Sequence, residues 1–163
     1  MYLKHSLSDR LVIFKSRCFP YKSVTNSKYL RYEAIIGIGG NVGDVKRRFN
    51  HLLIVIKRHV KVELLETSLI LKNPPFGYKE QDDFFNSIIV LKTSMEPKIF
   101  LDYLMRLEKR FARKRSFENA PRTLDLDIIF FDDRIINSKK LTVPHPHWFK
   151  RESVVIPLSG IRV

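Results

Sequence analysis

Pro121-Arg122-Thr123-Leu124-Asp125-Leu126-Asp127-Ile128-Ile129-Phe130 is the stretch on which the reading of this chain turns. Its apolar density predicts a strand from Leu124 to Phe131. Strand side chains alternate faces, so Asp125 and Asp127 point one way while Leu124, Leu126 and Ile128 enter a core. Two carboxylates on one face repel each other and call for cations. Magnesium matches them as a hard ion held by a few carboxylates together with substrate phosphates. Two such ions set about 3.5–4 Å apart serve phosphoryl chemistry. Arg122, three residues ahead of Asp125, is within reach of a phosphate. A sheet with one wet face also carries alternating acids neutralised by a nearby arginine, and pattern alone leaves both readings open.

Upstream lies Lys109-Arg110-Phe111-Ala112-Arg113-Lys114-Arg115; from Glu108 to Arg122 inclusive there are six basic residues and two acidic ones. Arginines beside a carboxylate pair suit a triphosphate, neutralising charge on the transferring group. Cations at a helix C-terminus would also complement its dipole. A nucleic-acid-binding loop is the third option. The helix itself is predicted from Pro97, with Ile99, Phe100, Tyr103, Leu104, Leu107 and Phe111 as its apolar stripe. Thr93-Ser94-Met95-Glu96 reads as a capping box ahead of it. Phe84 to Lys92 is a strand, preceded by the loop Lys72-Asn73-Pro74-Pro75-Phe76-Gly77, whose prolines cannot donate to a ladder. Asn86 offers a donor and an acceptor to the edge of an amide-like heterocycle. Phe76 and Phe84 could stack on its faces, or be ordinary core aromatics.

Further upstream, Val62 to Ile70 reads as a strand. Val45, Phe49, Leu52, Leu53 and Ile56 form one helical face, with Asp44 as N-cap. Ala34 to Ile38 is a buried strand. Gly37-Ile38-Gly39-Gly40-Asn41-Val42-Gly43 is neither a dinucleotide fingerprint, since Val42 stands where its third glycine belongs, nor a phosphate-binding P-loop. These glycines read as turn formers. Downstream, a turn at Asp132-Asp133 and a short strand near Arg134–Ile136 precede Leu141-Thr142-Val143-Pro144-His145-Pro146 and the apolar run Val154–Ile156. His145, stiffened by its prolines, suits a phosphate better than zinc, because no third ligand of zinc spacing lies near; a plain loop histidine is the alternative.

The order β-α-β-β-α-β fits an α+β ferredoxin-like antiparallel sheet with both helices on one face and added C-terminal elements. With 163 residues, 44% of them apolar, the chain suits one domain and is not a disordered segment. No apolar run spans a bilayer. A single cysteine, Cys18, excludes an intramolecular disulfide framework. The net charge of +13 attracts polyanions without choosing among them, and on composition alone nucleic acid leads. Residues 1–32 hold seven Lys/Arg, five serines and one acid, Asp9. They read as a basic N-terminal extension ahead of a domain at 33–163, partly packed through Leu11–Phe14, with a transit peptide as the alternative.

Taken in order, these blocks resemble the 6-hydroxymethyl-7,8-dihydropterin pyrophosphokinases of folate biosynthesis. The resemblance runs over roughly 35–163 and rests on Ile38–Asp44, Asn73–Gly77, Gln81–Asn86, Glu108 with Arg113-Lys114-Arg115, Pro121–Asp127, Leu141–Pro146, and Arg151 ahead of Pro157-Leu158. It implies transfer of the terminal diphosphate of ATP to the pterin hydroxymethyl oxygen, with release of AMP. Asp125 and Asp127 would then bind two Mg2+ ions. Arg113, Arg115 and Arg122 would contact phosphates. Pro74, Pro75, Phe76, Phe84 and Asn86 would hold the pterin, and Glu108, Ile128, Thr142, His145 and Arg151 would surround ATP. The resemblance further implies a cytoplasmic monomer working on ATP and hydroxymethyldihydropterin, without nucleic acid or membrane as partner. Two positions depart from the family pattern: Asn119-Ala120 replaces a common Trp-Gly pair, and Ser153 replaces a common aromatic. A basic nucleic-acid-binding module and a non-catalytic homologue are the rival readings. Three loops, near 40–44, 73–83 and 112–121, are expected to close over the substrates.

Overall fold

A computed structural model describes residues 1–25, 27–112 and 120–161. Arg113, Arg115 and Asn119 lie outside the described residues. In chain order the strands are β1 (Leu3–Ser6), β2 (Val12–Lys15), β3 (Tyr21–Lys22) and β4 (Tyr32–Gly40). Helix α1 (Val45–Lys57) follows, then β5 (Val62–Thr67), β6 (Ile70–Asn73), β7 (Phe84–Thr93) and α2 (Pro97–Arg110). The chain continues through β8 (Asp125–Phe131), β9 (Ile136–Asn137), β10 (Thr142–Val143), a short 3-10 turn (Trp148–Lys150) and α3 (Glu152–Leu158).

The expected α+β arrangement is present. β4 is flanked by β7 and β8, and β7 pairs on its other side with β5 and β6, all antiparallel. Even-numbered residues of β4 and β8, including Ile36, Ile38, Leu126 and Ile128, join Phe49, Leu52 and Ile56 of α1 and Phe100, Leu104 and Leu107 of α2 in the main core. On β4, and on β8 as far as Ile129, odd-numbered residues face the other side, where Val154 of α3 packs with Ile35, Ile88, Val90 and Ile129; past the bulge opposite Ile35/Ile36, Phe131 returns to the main core. The final apolar run, which carried no element assignment, thus forms a third helix on the opposite face.

Several local expectations change. The strand drawn from Val62 to Ile70 is broken at Ser68-Leu69. There the Ser68 hydroxyl accepts from the Ile88 amide at 2.8 Å, taking a place that a carbonyl would hold in an unbroken ladder. Gly37, Gly39 and Gly40 lie inside β4 rather than in a turn; of the glycines at 37–43, Gly43 takes positive φ, at 68°. The capping box does not form. Thr93 Oγ1 donates to the Lys61 carbonyl at 2.9 Å and accepts from the Met95 amide at 3.1 Å. The Glu96 carboxylate goes to the Tyr32 hydroxyl and to Arg134 Nη1, two donors that hold it below the usual carboxylate range. Asp44 does cap α1, accepting from the Arg47 amide at 3.0 Å. Ile99 faces solvent instead of joining the α2 stripe.

The first 32 residues add to the same sheet. β1 and β2 form a hairpin, and β2 pairs with β6 while β3 pairs with β5. Phe19 is fully buried, and Ile13 and Phe14 nearly so. The hairpin is also held against α1. Asn50 Nδ2 donates to the Tyr2 hydroxyl at 2.7 Å, and Lys46 Nζ lies 4.3–5.6 Å from the ring centres of Phe14, Tyr2 and Phe85.

Candidate active site

Strand register builds the site. Asn86 on β7, Gly39 on β4 and Asp125 on β8 stand opposite one another in a single row across the three strands. Gly37 stands opposite Asp127 in the parallel row next to it. All share the face turned away from α1 and α2. The two glycines put no side chain between the aspartates and the asparagine, so bare backbone floors a cleft. A Cβ at Gly39 would lie 2.8 Å from Asn86 Oδ1, and one at Gly40 would lie 2.6 Å from the Thr123 carbonyl. Close approach, rather than turn geometry, therefore fixes glycine at both positions.

The cleft has a volume of about 960 Å3, within the ordinary range for small-molecule sites. Pro74, Pro75, Phe76, Phe84 and Asn86 line it, together with Arg122, Asp125 and Asp127. His145 and Arg151 border it from the C-terminal segment. Asn86 is oriented by its own donation from Nδ2 to Asn73 Oδ1 at 2.7 Å. Phe84 is nearly buried, with the Arg122 guanidinium 5.3 Å from its ring centre, whereas Phe76 is 82% exposed.

Arg122 forms an ion pair from Nη1 to Asp125 Oδ2, and its buried Nε has no hydrogen-bond partner among the described residues. His145 donates its backbone amide to the Ile129 carbonyl at 2.9 Å. Its ring Nδ1 is buried and likewise without a partner. Glu108 is buried at the cleft wall, where Oε1 accepts from the Leu126 amide at 2.9 Å. That amide lies on the edge of the sheet, so Glu108 latches α2 to the strand that carries the aspartates.

Two expected residues are not brought to the cleft. The Ile128 side chain enters the core between sheet and helices, as its parity on β8 demands. Thr142 is exposed on β10 and outside the lining. Trp148 packs edge-on against Phe130, with ring centres 5.0 Å apart, and is also outside the lining. Ser153 lines the cleft with its small side chain.

Sequence reading missed a junction. Asn41 is 5% exposed. Its Oδ1 accepts from the Arg122 amide at 2.9 Å, and its Nδ2 donates to Gln81 Oε1 and to the Asp82 carbonyl at 2.9 and 3.0 Å. Arg48 Nη1 adds bonds to the carbonyls of Val42 and Thr123 at 2.7 and 3.0 Å. The segments at 40–44, 78–83 and 120–123 are thereby tied together. An asparagine among glycines looked like one more turn residue; nothing in its spacing marked the side chain as buried. The cationic lining residues Arg10, Lys140 and Lys150 were missed as well.

The family model for 7,8-dihydro-6-hydroxymethylpterin-pyrophosphokinase matches residues 35–163. The chain belongs to this family. It is 41% identical over 147 residues to the 2-amino-4-hydroxy-6-hydroxymethyldihydropteridine pyrophosphokinase of Campylobacter jejuni, covering 90% of this chain and 93% of that relative. The enzymes of the same name from Helicobacter pylori and Bacillus subtilis are 40% and 34% identical, over 77% and 78% of this chain and 78% and 77% of their own lengths. A match of 147 residues is longer than the stretch 33–163. The similarity to the pyrophosphokinase of C. jejuni therefore reaches into the N-terminal strands.

Proposed function

We propose that the protein transfers the terminal diphosphate of ATP to the hydroxymethyl oxygen of 6-hydroxymethyl-7,8-dihydropterin. The pterin oxygen attacks the β-phosphorus, the bond to the α–β bridging oxygen breaks, and AMP leaves with that oxygen. The hydroxyl proton passes to solvent. The observation that carries this reading is the row Asn86–Gly39–Asp125, in which an amide suited to a flat heterocycle faces a carboxylate pair across bare backbone. Such transfer needs positioning and charge neutralisation more than covalent chemistry.

Asn86, already oriented by Asn73, would bond the pterin edge, and Phe84 with Pro74, Pro75 and Phe76 would wall it. Asp125 and Asp127 are the residues that would hold Mg2+. Their donor set fits, because magnesium takes one or two carboxylates and fills its shell with phosphate oxygens and water. When bound, that ion supplies positive charge against the polyphosphate. Arg122, which pairs with Asp125, would exchange this carboxylate for a phosphate oxygen. His145 and Arg151 would flank the nucleotide. Arg113 and Arg115 keep their proposed phosphate contacts on the strength of motif position. Glu108 acts on the site by holding the edge of β8, while Thr142 and Ile128 would meet ATP only through outer or backbone atoms.

The reading takes the protein as a monomer acting on two small molecules, ATP and the pterin, rather than on nucleic acid. Among the described residues no helix is long and apolar enough to cross a membrane. The test mixes protein, Mg-ATP and hydroxymethyldihydropterin and resolves the nucleotides. AMP forming only when pterin is present supports the proposal. ADP, or no turnover by folded protein, defeats it.

A further inference from the structure

The cleft is also lined by Ser8, Arg10 and Leu11, from the tip of the β1–β2 hairpin, which lies ahead of the residues that carry the family match. Register explains their presence. Ile13 stands opposite Leu71, and Leu71 opposite Asn86, so Ile13 shares the row and the face of Asn86 and Asp125. Leu11, two residues away from Ile13 along the chain, falls on that same face, and Val12 stands opposite Lys72, immediately before Asn73 and the Pro74-Pro75 wall. The tip is a closed turn. The Leu7 amide donates to the Leu11 carbonyl at 2.8 Å. Ser8 Oγ accepts from the amides of Arg10 and Leu11 at 3.3 and 3.2 Å. The anchorage of Tyr2 and Lys46 on α1 fixes the hairpin from behind.

We infer that this hairpin tip is the outer wall of the heterocycle pocket, with Arg10 and Leu11 as substrate-binding residues. The inference rests on the proposed pterin reading. Leu11 packs on the apolar rim of the ring system beside Pro74 and Pro75. Arg10 offers its planar fork of N–H donors to the ring carbonyl, an acceptor at the rim of the heterocycle. Chemistry at the aspartates does not involve either residue, so their effect falls on pterin affinity and leaves ATP untouched.

The experiment compares wild type, Arg10→Ala and Arg10→Lys. It measures KM for each substrate, and pterin Kd by fluorescence titration with Mg2+ and the non-transferable α,β-methylene analogue of ATP. Loss of one charge-assisted hydrogen bond at a partly exposed site should weaken pterin binding about tenfold. KM for ATP should stay within about twofold, and lysine should restore part of the loss. Pterin affinity unchanged in Arg10→Ala, with wild type producing AMP, overturns the inference alone. A rise in KM for ATP instead of pterin also overturns it, because Arg10 would then meet the phosphate chain. Wild type that neither binds pterin nor makes AMP overturns the substrate reading and this inference with it.

Discussion

The two faces of one sheet are built from the same strands and share almost nothing else. On β4 and β8 the even positions Ile36, Ile38, Leu126 and Ile128 are apolar, closed over by α1 and α2 and nearly inaccessible to water. The odd positions carry Gly37, Gly39, Asp125 and Asp127 and leave an open cleft. A period of two lets a seven-residue strand serve both, because each side chain belongs to one face only. The face that holds the fold tolerates no gap. The face proposed to do chemistry requires one, and glycine makes it.

That division can be broken from either side. The largest effect belongs to Asp127→Asn: steady-state AMP formation should fall about a thousandfold, with the far-UV circular dichroism native. Near-normal turnover would contradict the proposed metal role. On the other face, Phe100→Ala should cost about 3–5 kcal/mol in denaturant unfolding, leaving kcat of the remaining folded protein nearly intact. Gly39→Ala sits at the boundary. Its new methyl must displace Asn86 Oδ1, so pterin titration should show about tenfold weaker binding while far-UV circular dichroism stays native. The smallest effect is expected from Tyr103→Phe. The Tyr103 hydroxyl is buried in the core without a partner among the described residues, and burial pushes its pKa up to about 12. A phenol raised in the folded state stabilises fully below pH of about 10 and loses that contribution as pH climbs towards 12. Thermal melts should therefore find Tyr103→Phe no less stable than wild type at pH 7 and less sensitive to alkali.

Periodicity made the central elements legible: β4, α1, β7, α2 and β8 each follow from one repeat and one turn signal. The shared face of Asp125 and Asp127 followed from strand parity. What stayed hidden depended on partners distant in sequence. The Ser68 hydroxyl takes a place in the ladder and splits a strand that propensity alone would continue. Glu96 answers Tyr32 and Arg134, so a local capping pattern yields to bonds made across the fold. Gly39 keeps ordinary strand geometry, and its purpose shows only once Asn86 and Asp125 stand on either side. The same holds for the N-terminal strands. A basic, serine-rich composition describes what residues 1–32 are made of; the burial of Phe19 and the pairing of β2 and β3 describe where they go.

Asn41 pins the cleft rim. One carboxamide holds the Arg122 amide with its oxygen and the 81–82 segment with its nitrogen, so the two segments share a fastening. Trimming that side chain to Ala would unfasten both segments at one stroke.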